Sequence, residues 1–339
     1  MQRLHKLLAS ASDCHVYDLY ASGGEPDEPG VHRVYGKSMQ RILRCGQMLR
    51  KNPSDIEHIH VSAMRKFLWG TPVLLGGKRQ GKRILTIHGG AFPEVIANLA
   101  AWERMIFRWM LKQFDFFVCV SEKQKQVLLD WQVSAEKITI VNAYLPPVRD
   151  VDTSPYADVL AAKEAGHPIL VCTAPYLEHY GVVEMLTALQ ALPSSDKPAP
   201  CLVFVTYLDV DEAYKAQCKK LMQGLQVFEY KEIDPSQLSA LMSIGDIFVR
   251  PTWWDGDAVS VREASFFGNR IVATDVTTRP AGAHLCESKN PESLGKALHE
   301  AIENPELGKV DFDHFDSMRK LLAVYNQLGA DVTIDDQSN

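Results

Sequence analysis

Short apolar segments alternate with helical patterns along most of this 339-residue chain, and this alternation limits the possible folds more than any other feature. In the first half, strand-like segments at 56–61, 83–87 and 116–120 are separated by segments with helical periodicity. The second half repeats the scheme from a strand-like segment at 169–173 onward. Parallel strands need crossover connections, which are usually helices, so the sequence predicts an α/β fold with mostly parallel sheets.

A stretch with weak periodicity separates the two halves of the chain. Residues 149–166 contain proline among acidic and small side chains, which is typical of a connection between domains. We therefore expect an N-terminal domain over 1–148, a linker over 149–166 that can end in a short helix, and a C-terminal domain over 167–311. A final helix is predicted over 312–328 and is expected to pack back on the N-terminal domain.

Charge is distributed unevenly between the two halves. The net charge is −6, but residues 1–148 carry 20 Lys and Arg against 13 Asp and Glu, whereas the remainder carries 16 against 29. Between Arg33 and Arg83 there are 12 basic and two acidic residues. A basic half indicates an anionic partner, such as a membrane surface or a lipid phosphate. The sequence contains no recognisable nucleic-acid-binding module, so a nucleic-acid partner is disfavoured.

The composition is that of an ordinary globular protein. Hydrophobic residues make up 46% of the chain, and no run approaches the roughly 18 apolar residues that a membrane-spanning helix needs. The N-terminal segment lacks the apolar core of a secretory signal. The seven cysteines are scattered without a CxxC pair, so we expect reduced thiols, no metal site and a cytoplasmic location.

One segment, 246–282, combines both element types with a concentration of polar residues. Its sequence, DIFVRPTWWDGDAVSVREASFFGNRIVATDVTTRPAG, predicts a strand, an acidic glycine turn, a helix and a second strand. In such a βαβ unit, ligands bind where the first strand leads into the helix, and Asp255 and Glu263 mark this place. Two carboxylates near a helix N-terminus suit a ligand that carries hydroxyl groups and phosphate. An N-capping Asp with a solvated Glu fits the same pattern.

Beyond this unit, the chain resembles family 4 of the retaining, nucleotide-sugar-dependent glycosyltransferases with the GT-B fold. RPTWWDGDAVSVREA followed by NRIVATD resembles the family's E-x7-E motif, with Asp255 and Glu263 in the places of its two acids. TIHGG at the end of a strand, VCVSEKQKQVLL and ITIVNAY are supporting similarities in the expected order. The resemblance implies two Rossmann-like βα domains that face a cleft. It also implies an enzyme that transfers a sugar from a nucleoside-diphosphate donor with retention of configuration.

The resemblance further implies roles for individual residues. Glu263 would bind the ribose hydroxyls of the nucleotide, and His88, at the end of a strand, would lie near the donor sugar. A turn histidine satisfied by the backbone is the alternative for His88. The first motif acid and the backbone after it would hold the donor sugar, which here means Asp255, Gly256, Asp257 and Ala258.

The implied partners follow from the same resemblance. They are a UDP- or GDP-linked sugar as donor and a glycan or polyprenyl-phosphate-linked molecule as acceptor, with no cofactor and no metal. The basic N-terminal domain would suit an anionic membrane surface. We therefore expect a cytoplasmic protein that works at the inner face of the membrane, in the synthesis of cell-surface polysaccharide or lipopolysaccharide.

Two cations that the family uses to neutralise the donor diphosphate are missing from their usual places. In TAPYLEHYGVVEML, Pro175 and Tyr180 stand where the family has Arg and Lys. Losing both would weaken the stabilisation of charge on the leaving group. Arg250 and Arg279, at predicted carboxyl ends of strands, are the preferred replacements. Ion pairs of these arginines with nearby Asp residues are the alternative.

The start of the chain also differs from the family pattern. MQRLHKLLAS predicts a helix where the family has a strand and a Gly-rich loop, so we expect that strand either upstream of this sequence or lacking. Two alternative functions remain open because of these differences. One is a catalytically weak GT-B protein that binds nucleotide or glycan as a partner subunit, and the other is a GT-B-shaped sugar-nucleotide epimerase.

Two further patterns favour purely structural roles. A helix predicted over 99–114 carries Trp102, Met105 and Trp109 at helical spacing, so this stripe is expected to face the core. His60, in the strand EHIHV, is expected to be structural.

Overall fold

The chain forms two compact units. The first comprises Met1–Leu145 together with Phe315–Ser338, and the second comprises Pro146–His314. The computed structural model describes residues 2–9, 12–19, 28–76, 79, 81–89, 91–142, 144, 146–147, 149–193, 197–208, 211–255 and 258–332.

The first unit is built on a four-stranded parallel sheet in the order β3-β4-β5-β6, and a separate parallel pair is formed by β1 and β2. The strands are β1 (Val16–Asp18), β2 (Val31–Arg33), β3 (Ile56–Val61), β4 (Lys82–Ile87), β5 (Phe116–Cys119) and β6 (Ile138–Ile140). The helices are α1 (Gln2–Ala9), α2 (Ser38–Lys51), α3 (Met64–Leu75), α4 (Phe92–Ala97), α5 (Ala101–Leu111), α6 (Glu122–Asp130) and α13 (Asp316–Gln327).

Both faces of this sheet are covered, so its central strands are apolar on both sides. Leu85 and Phe117 pack in one core with side chains of α3 and α5. Ile84 and Val118, one position away in each strand, pack in a second core with α1 and α13. The final helix, expected over 312–328, thus begins at Asp316 and contributes to the first unit.

The second unit contains a six-stranded parallel sheet in the order β12-β11-β10-β7-β8-β9. Its strands are β7 (Ile169–Thr173), β8 (Cys201–Thr206), β9 (Gln226–Lys231), β10 (Ile247–Arg250), β11 (Arg270–Thr274) and β12 (His284–Cys286). Its helices are α7 (Ala157–Glu164), α8 (Val182–Gln190), α9 (Glu212–Leu221), α10 (Pro235–Ile244), α11 (Val259–Phe266) and α12 (Pro291–Glu303).

The direction of winding reverses between β7 and β10. From β7 the chain moves outward through β8 to β9, and it then returns to the other side of β7 as β10. In open α/β sheets, ligands bind at such a switch point, beyond the carboxyl ends of the strands. Here the loops after the two strands are 174–181 and the chain from Pro251 onward.

The stretch over which a linker was expected, 149–166, carries helix α7. Tyr156, Val159 and Ala162 are buried in a core of the second unit, and a short 3-10 turn over Ser154–Tyr156 leads into the helix. The proline at this turn gave the sequence its loop-like appearance, whereas the spacing of Val159 and Ala162 fits one buried helix face.

Candidate active site

The two loops at the switch point are joined to each other. The backbone N–H of Trp253 donates to the carbonyl oxygen of His179 at 2.9 Å. Gly181 has φ +69°, and a Cβ atom there would lie 2.0 Å from the carbonyl oxygen of Pro251. Only glycine permits this backbone conformation together with so close an approach. The loop after β7 is therefore held against the loop after β10.

A buried cluster of three charged residues, Arg250, Asp255 and Arg279, lies at this edge of the sheet. Arg250 donates from Nε to Oδ2 of Asp255 at 2.9 Å and from Nη2 to Oδ1 at 3.1 Å. Arg279 donates from Nη1 to Oδ2 of Asp255 at 2.9 Å. The side chains of Arg250, Asp255 and Arg279 are 11%, 9% and 3% exposed. We call these three residues the Asp255 cluster.

Asp255 and Arg250 stabilise each other in their charged forms. Burial alone would raise the pKa of Asp255, but hydrogen bonds and charges from Arg250 and Arg279 together lower it. Burial also opposes the charge of Arg250, yet the contacts with Asp255 outweigh it and raise the pKa of Arg250. Two guanidinium groups and one carboxylate leave the cluster with a net charge of about +1.

The cluster spans three strands and retains an unused donor. Arg250 donates from Nη1 to the carbonyl oxygen of Thr173 at the end of β7, at 3.4 Å. Arg279 donates from Nε to the carbonyl oxygen of Thr274 at the end of β11, at 3.2 Å. Nη2 of Arg279 is buried and has no hydrogen-bond partner within the described ranges. An acceptor that reached this nitrogen would remove the cost of a buried unsatisfied donor.

An aromatic ring, that of Tyr180, occupies one of the places where the family resemblance implied a cation. The Tyr180 ring centroid lies 5.5 Å from Cζ of Arg250, a cation–π distance. Tyr180 is hydrogen-bonded to Tyr207, whose pKa is raised first by burial and then by this bond. Pro175, at the other expected cation position, is buried. Arg250, at the end of β10, and Arg279, in the loop after β11, are the cations that pair with Asp255 at this edge.

Helix α11 places Glu263 at the border between core and solvent. Val261 and Ala264 are buried on the inner side of the helix, and Glu263 is half-buried. The N-cap residue is Ala258, which makes no side-chain cap bond, so Asp255 is not a helix cap. Gly256 and Asp257, expected to hold the donor sugar, lie outside the described residues.

His88 lies at the corresponding edge of the sheet in the first unit, directly after β4. Its backbone N–H donates to the carbonyl oxygen of Val61 at 2.7 Å. Its exposed ring is joined through Nε2 to Nδ1 of His60 at 2.9 Å, and the two rings are stacked. The His60 ring in turn lies 4.1 Å from that of His58.

The histidines of this row are neutral near pH 7. Burial lowers the pKa of His58 to about 3 and that of His60 to about 2, and partial loss of hydration lowers the pKa of His88. His58 contacts the hydroxyl groups of Tyr325 and Thr86, each at 2.6 Å. The row runs from the C-terminal helix α13 to the end of β4, and it can offer a neutral imidazole to a ligand at His88.

Several residues at these two edges were not assigned a site role from the sequence. Thr252 is buried, lies 3.4 Å from Oδ2 of Asp255 and accepts at its carbonyl from Thr274. His58 and His60 are two residues apart in one strand, so the sequence already indicated that both lie on the same face of the sheet. Nothing in the sequence indicated the pairing of Tyr180 with Tyr207, which lies after a different strand. Among the described residues, no group of three or more His, Cys, Asp or Glu could hold a metal ion.

Comparison with known proteins yields two family matches that follow one another along the chain. Residues 5–143 match the model of Glycosyltransferase Family 4, and residues 161–310 match the model of Glycosyl transferases group 1. The two matches together cover most of the chain. No curated protein sequence matches it.

Solved structures share the fold at low sequence identity. The sucrose-phosphate synthase of Thermosynechococcus elongatus is 15% identical with a TM-score of 0.62, and the match covers 96% of this chain and 89% of that one. WaaG, a glycosyltransferase involved in lipopolysaccharide biosynthesis, is 16% identical with a TM-score of 0.62, over 95% and 94% of the two chains. Anabaena HepE in complex with UDP and glucose is 12% identical with a TM-score of 0.58, over 88% and 85%.

Proposed function

Because the chain belongs to the glycosyltransferases with the GT-B fold, we propose that it transfers a sugar from a nucleoside-diphosphate donor to a glycan or lipid-linked acceptor, with retention of configuration. The solved complex of HepE with UDP and glucose supports a UDP-linked donor. The involvement of WaaG in lipopolysaccharide biosynthesis supports a role in assembling a cell-surface glycan. The acceptor would then be a glycan or a polyprenyl-phosphate-linked molecule at a membrane surface.

The observation that carries this proposal is the Asp255 cluster at the switch point. A buried site with net positive charge and an unsatisfied guanidinium N–H favours an anionic ligand. The diphosphate of a nucleotide sugar provides that charge, and its negative charge grows as the bond to the sugar breaks. Arg250 and Arg279 would therefore replace the cations that the family has at the positions of Pro175 and Tyr180.

The proposed role of Asp255 differs from that of a sugar-binding acid. Its carboxylate accepts hydrogen bonds from both arginines, which orients the two guanidinium groups. We assign it as a positioning residue for the diphosphate site. Glu263 would accept hydrogen bonds from the ribose hydroxyls, and the backbone at Ala258 would approach the donor sugar.

Retention would follow from attack on the face of the sugar that the diphosphate leaves. The bond between the anomeric carbon and the phosphate oxygen breaks as the acceptor oxygen bonds to the same carbon. The leaving phosphate oxygen takes the proton of the acceptor hydroxyl, so charge and atoms balance without a further reactant. His88, as a neutral imidazole, would hydrogen-bond the donor sugar.

Nucleotide titration tests the site assignment. Calorimetric titration with UDP, GDP and ADP should show binding of at least one of them. Glu263→Ala should weaken that binding about tenfold or more, because hydrogen bonds to a charged group contribute roughly 1.5–3 kcal/mol. Glu292→Ala, an exposed glutamate on α12, is the matched control and should bind as tightly as wild type. Unchanged affinity in Glu263→Ala would refute the assignment.

A partner subunit that binds nucleotide without efficient transfer is the second candidate function. It is favoured by the partial neutralisation of Arg250 and Arg279 by Asp255, together with Tyr180 in place of a cation. Release of UDP or GDP from the corresponding bound nucleotide sugar separates the two functions. An enzyme releases nucleotide in a time-dependent reaction, whereas a binding subunit returns the nucleotide sugar intact.

A further inference from the structure

The outer surface of helices α3 and α5 exposes four large apolar side chains. Trp69 is 56% exposed, Trp102 49%, Met105 70% and Trp109 37%. The helical spacing had predicted that the α5 stripe faces the core, and the structure corrects this. The buried residues of α5 lie on its opposite side, with Phe107 and Met110 fully enclosed. We call the four exposed residues the tryptophan face.

The tryptophan face is continuous across the two helices. The rings of Trp69 and Trp102 have centroids 6.2 Å apart, and Met105 and Trp109 continue the line along α5. It holds three of the six tryptophans of the chain. Isolated exposed apolar residues are ordinary on a protein surface, but a contiguous group of this kind marks an interaction surface.

Basic residues accompany these apolar side chains. Arg104, Arg108 and Lys112 are exposed at intervals of four residues along and just beyond α5, and Lys66 is exposed on α3. The acid within these two helices, Glu103, is buried and accepts hydrogen bonds from Arg65 and Trp69. The exposed surface of both helices therefore carries positive charge only.

We propose that the tryptophan face docks the first unit on an anionic lipid surface. Tryptophan prefers the boundary between headgroups and acyl chains. An exposed helix with apolar and basic side chains can lie in that boundary, held by apolar burial and by attraction to anionic lipids. The core of a protein–protein interface is depleted in lysine, whereas Lys66 and Lys112 are both exposed beside the tryptophan face. No helix in the described ranges is long and apolar enough to cross a membrane.

This surface coincides only in part with the basic stretch that the sequence had singled out, because α3 lies within that stretch and α5 lies beyond it. Several arginines between Arg33 and Arg83 have internal partners: Arg83 pairs with buried Glu57, Arg79 with Asp115, and Arg41 donates to backbone carbonyls. The docking surface rests on the proposed function, in which the acceptor is lipid-linked, and it identifies the part of the first unit that would contact the lipid. Nucleotide binding by the second unit does not depend on it, so the two proposals fail separately.

Vesicle binding tests the proposal with the full chain. Vesicles of phosphatidylcholine with 30–40% phosphatidylglycerol, roughly the charge density of anionic leaflets, should co-sediment the protein, and pure phosphatidylcholine should bind it less. Lipids brominated near the headgroup end of the acyl chains should quench tryptophan fluorescence.

Two double variants test the apolar and the basic residues separately. Trp102→Ala with Trp109→Ala should reduce vesicle binding about tenfold or more, because apolar area is lost. Lys66→Gln with Lys112→Gln should reduce it about 25-fold, at about fivefold per cation.

Matched controls come from the second unit. Trp254→Ala removes another exposed tryptophan and Lys220→Gln another exposed lysine, and both should bind vesicles as wild type does. Unchanged vesicle binding in the Trp102→Ala/Trp109→Ala variant, with its nucleotide affinity intact as proof of folding, would overturn the proposal. Failure of the wild-type protein to bind vesicles would also overturn it. Sedimentation would then show whether the wild-type protein self-associates and whether Trp102→Ala/Trp109→Ala abolishes that self-association. If both hold, the face would be an interface between copies.

Discussion

Arg279 donates a hydrogen bond from Nη1 to Oδ2 of Asp255 at 2.9 Å, and the same oxygen accepts from Nε of Arg250 at 2.9 Å. Asp255, in the loop after β10, thus binds both Arg250, at the end of β10, and Arg279, in the loop after β11. Their common position at the switch point of the sheet makes the pairing relevant to ligand binding. It also makes Asp255 important for stability.

Asp255→Asn should destabilise the protein by about 3–5 kcal/mol, because it leaves two buried arginines without a countercharge. Urea unfolding measures this free energy. Asp275→Asn alters an exposed acid at the same edge and should change the free energy of unfolding by less than about 0.5 kcal/mol. Equal stability of the two variants would contradict a structural role for the cluster.

Arg279→Met should weaken UDP binding while leaving uridine binding unchanged. The expected loss is about tenfold or more for UDP, since a charge-assisted hydrogen bond contributes roughly 1.5–3 kcal/mol. Uridine lacks the diphosphate and serves as the internal control in calorimetric titration. A parallel loss of both affinities would show that the substitution disturbs the fold or the nucleoside site, and an unchanged UDP affinity would refute the compensation by Arg279.

Tyr180→Lys should strengthen UDP binding by restoring a cation at the place where the family has one. We expect an increase of about fivefold to tenfold, the effect of about 1–1.4 kcal/mol from an added phosphate contact. Tyr180→Met removes the same aromatic ring without adding charge and is the matched control. If both variants bind UDP equally, the added charge does not reach the diphosphate.

Acid should destabilise the first unit through His58 and His60. The folded pKa values of His58 and His60, about 3 and about 2, lie below the ordinary unfolded value near 6.5. The unfolded state therefore binds protons first, so their contribution is present above about pH 6.5 and is lost as the pH falls toward the folded values.

Each of these histidines should contribute a slope of about 1.4 kcal/mol per pH unit in this window. Urea unfolding of wild type and His60→Leu at pH 6, 5 and 4 measures the difference in slope. The variant should lose stability less steeply by about that amount. Parallel slopes would indicate that His60 titrates normally in the folded protein.

Much of the fold could be read from the sequence because the central strands of both sheets, such as β4, β5, β7 and β10, are short and mostly apolar runs bounded by turn residues. The predicted strand at 56–61 coincides with β3, and the predicted segment around Asp255 forms a strand, a loop, a helix and a strand in that order. Helix α7 was less visible, because proline and acidic residues at its start resemble a loop. Where such a helix begins depends on which of its side chains pack against the sheet, and this is not visible in the local sequence.

The stripe of Trp102, Met105 and Trp109 shows the limit of periodicity. Spacing identifies a helix face but not which face the protein encloses when both sides carry large apolar residues. Phe107, Met110 and Leu111 on the other side of α5 fill the core, so the tryptophans remain outside. The outcome depended on the helices and strands that α5 meets.

The sequence by itself determined the α/β class, the two βα halves and the acidic unit around Asp255 and Glu263, because strand and helix periods and turn residues are local signals. Only the tertiary structure decided that Asp255 joins Arg250 to Arg279, and that Tyr180 lies over Arg250 where a cation was expected. Those contacts bring together the ends of separate strands. They depend on strand order and on the burial of charge, neither of which is encoded by local pattern.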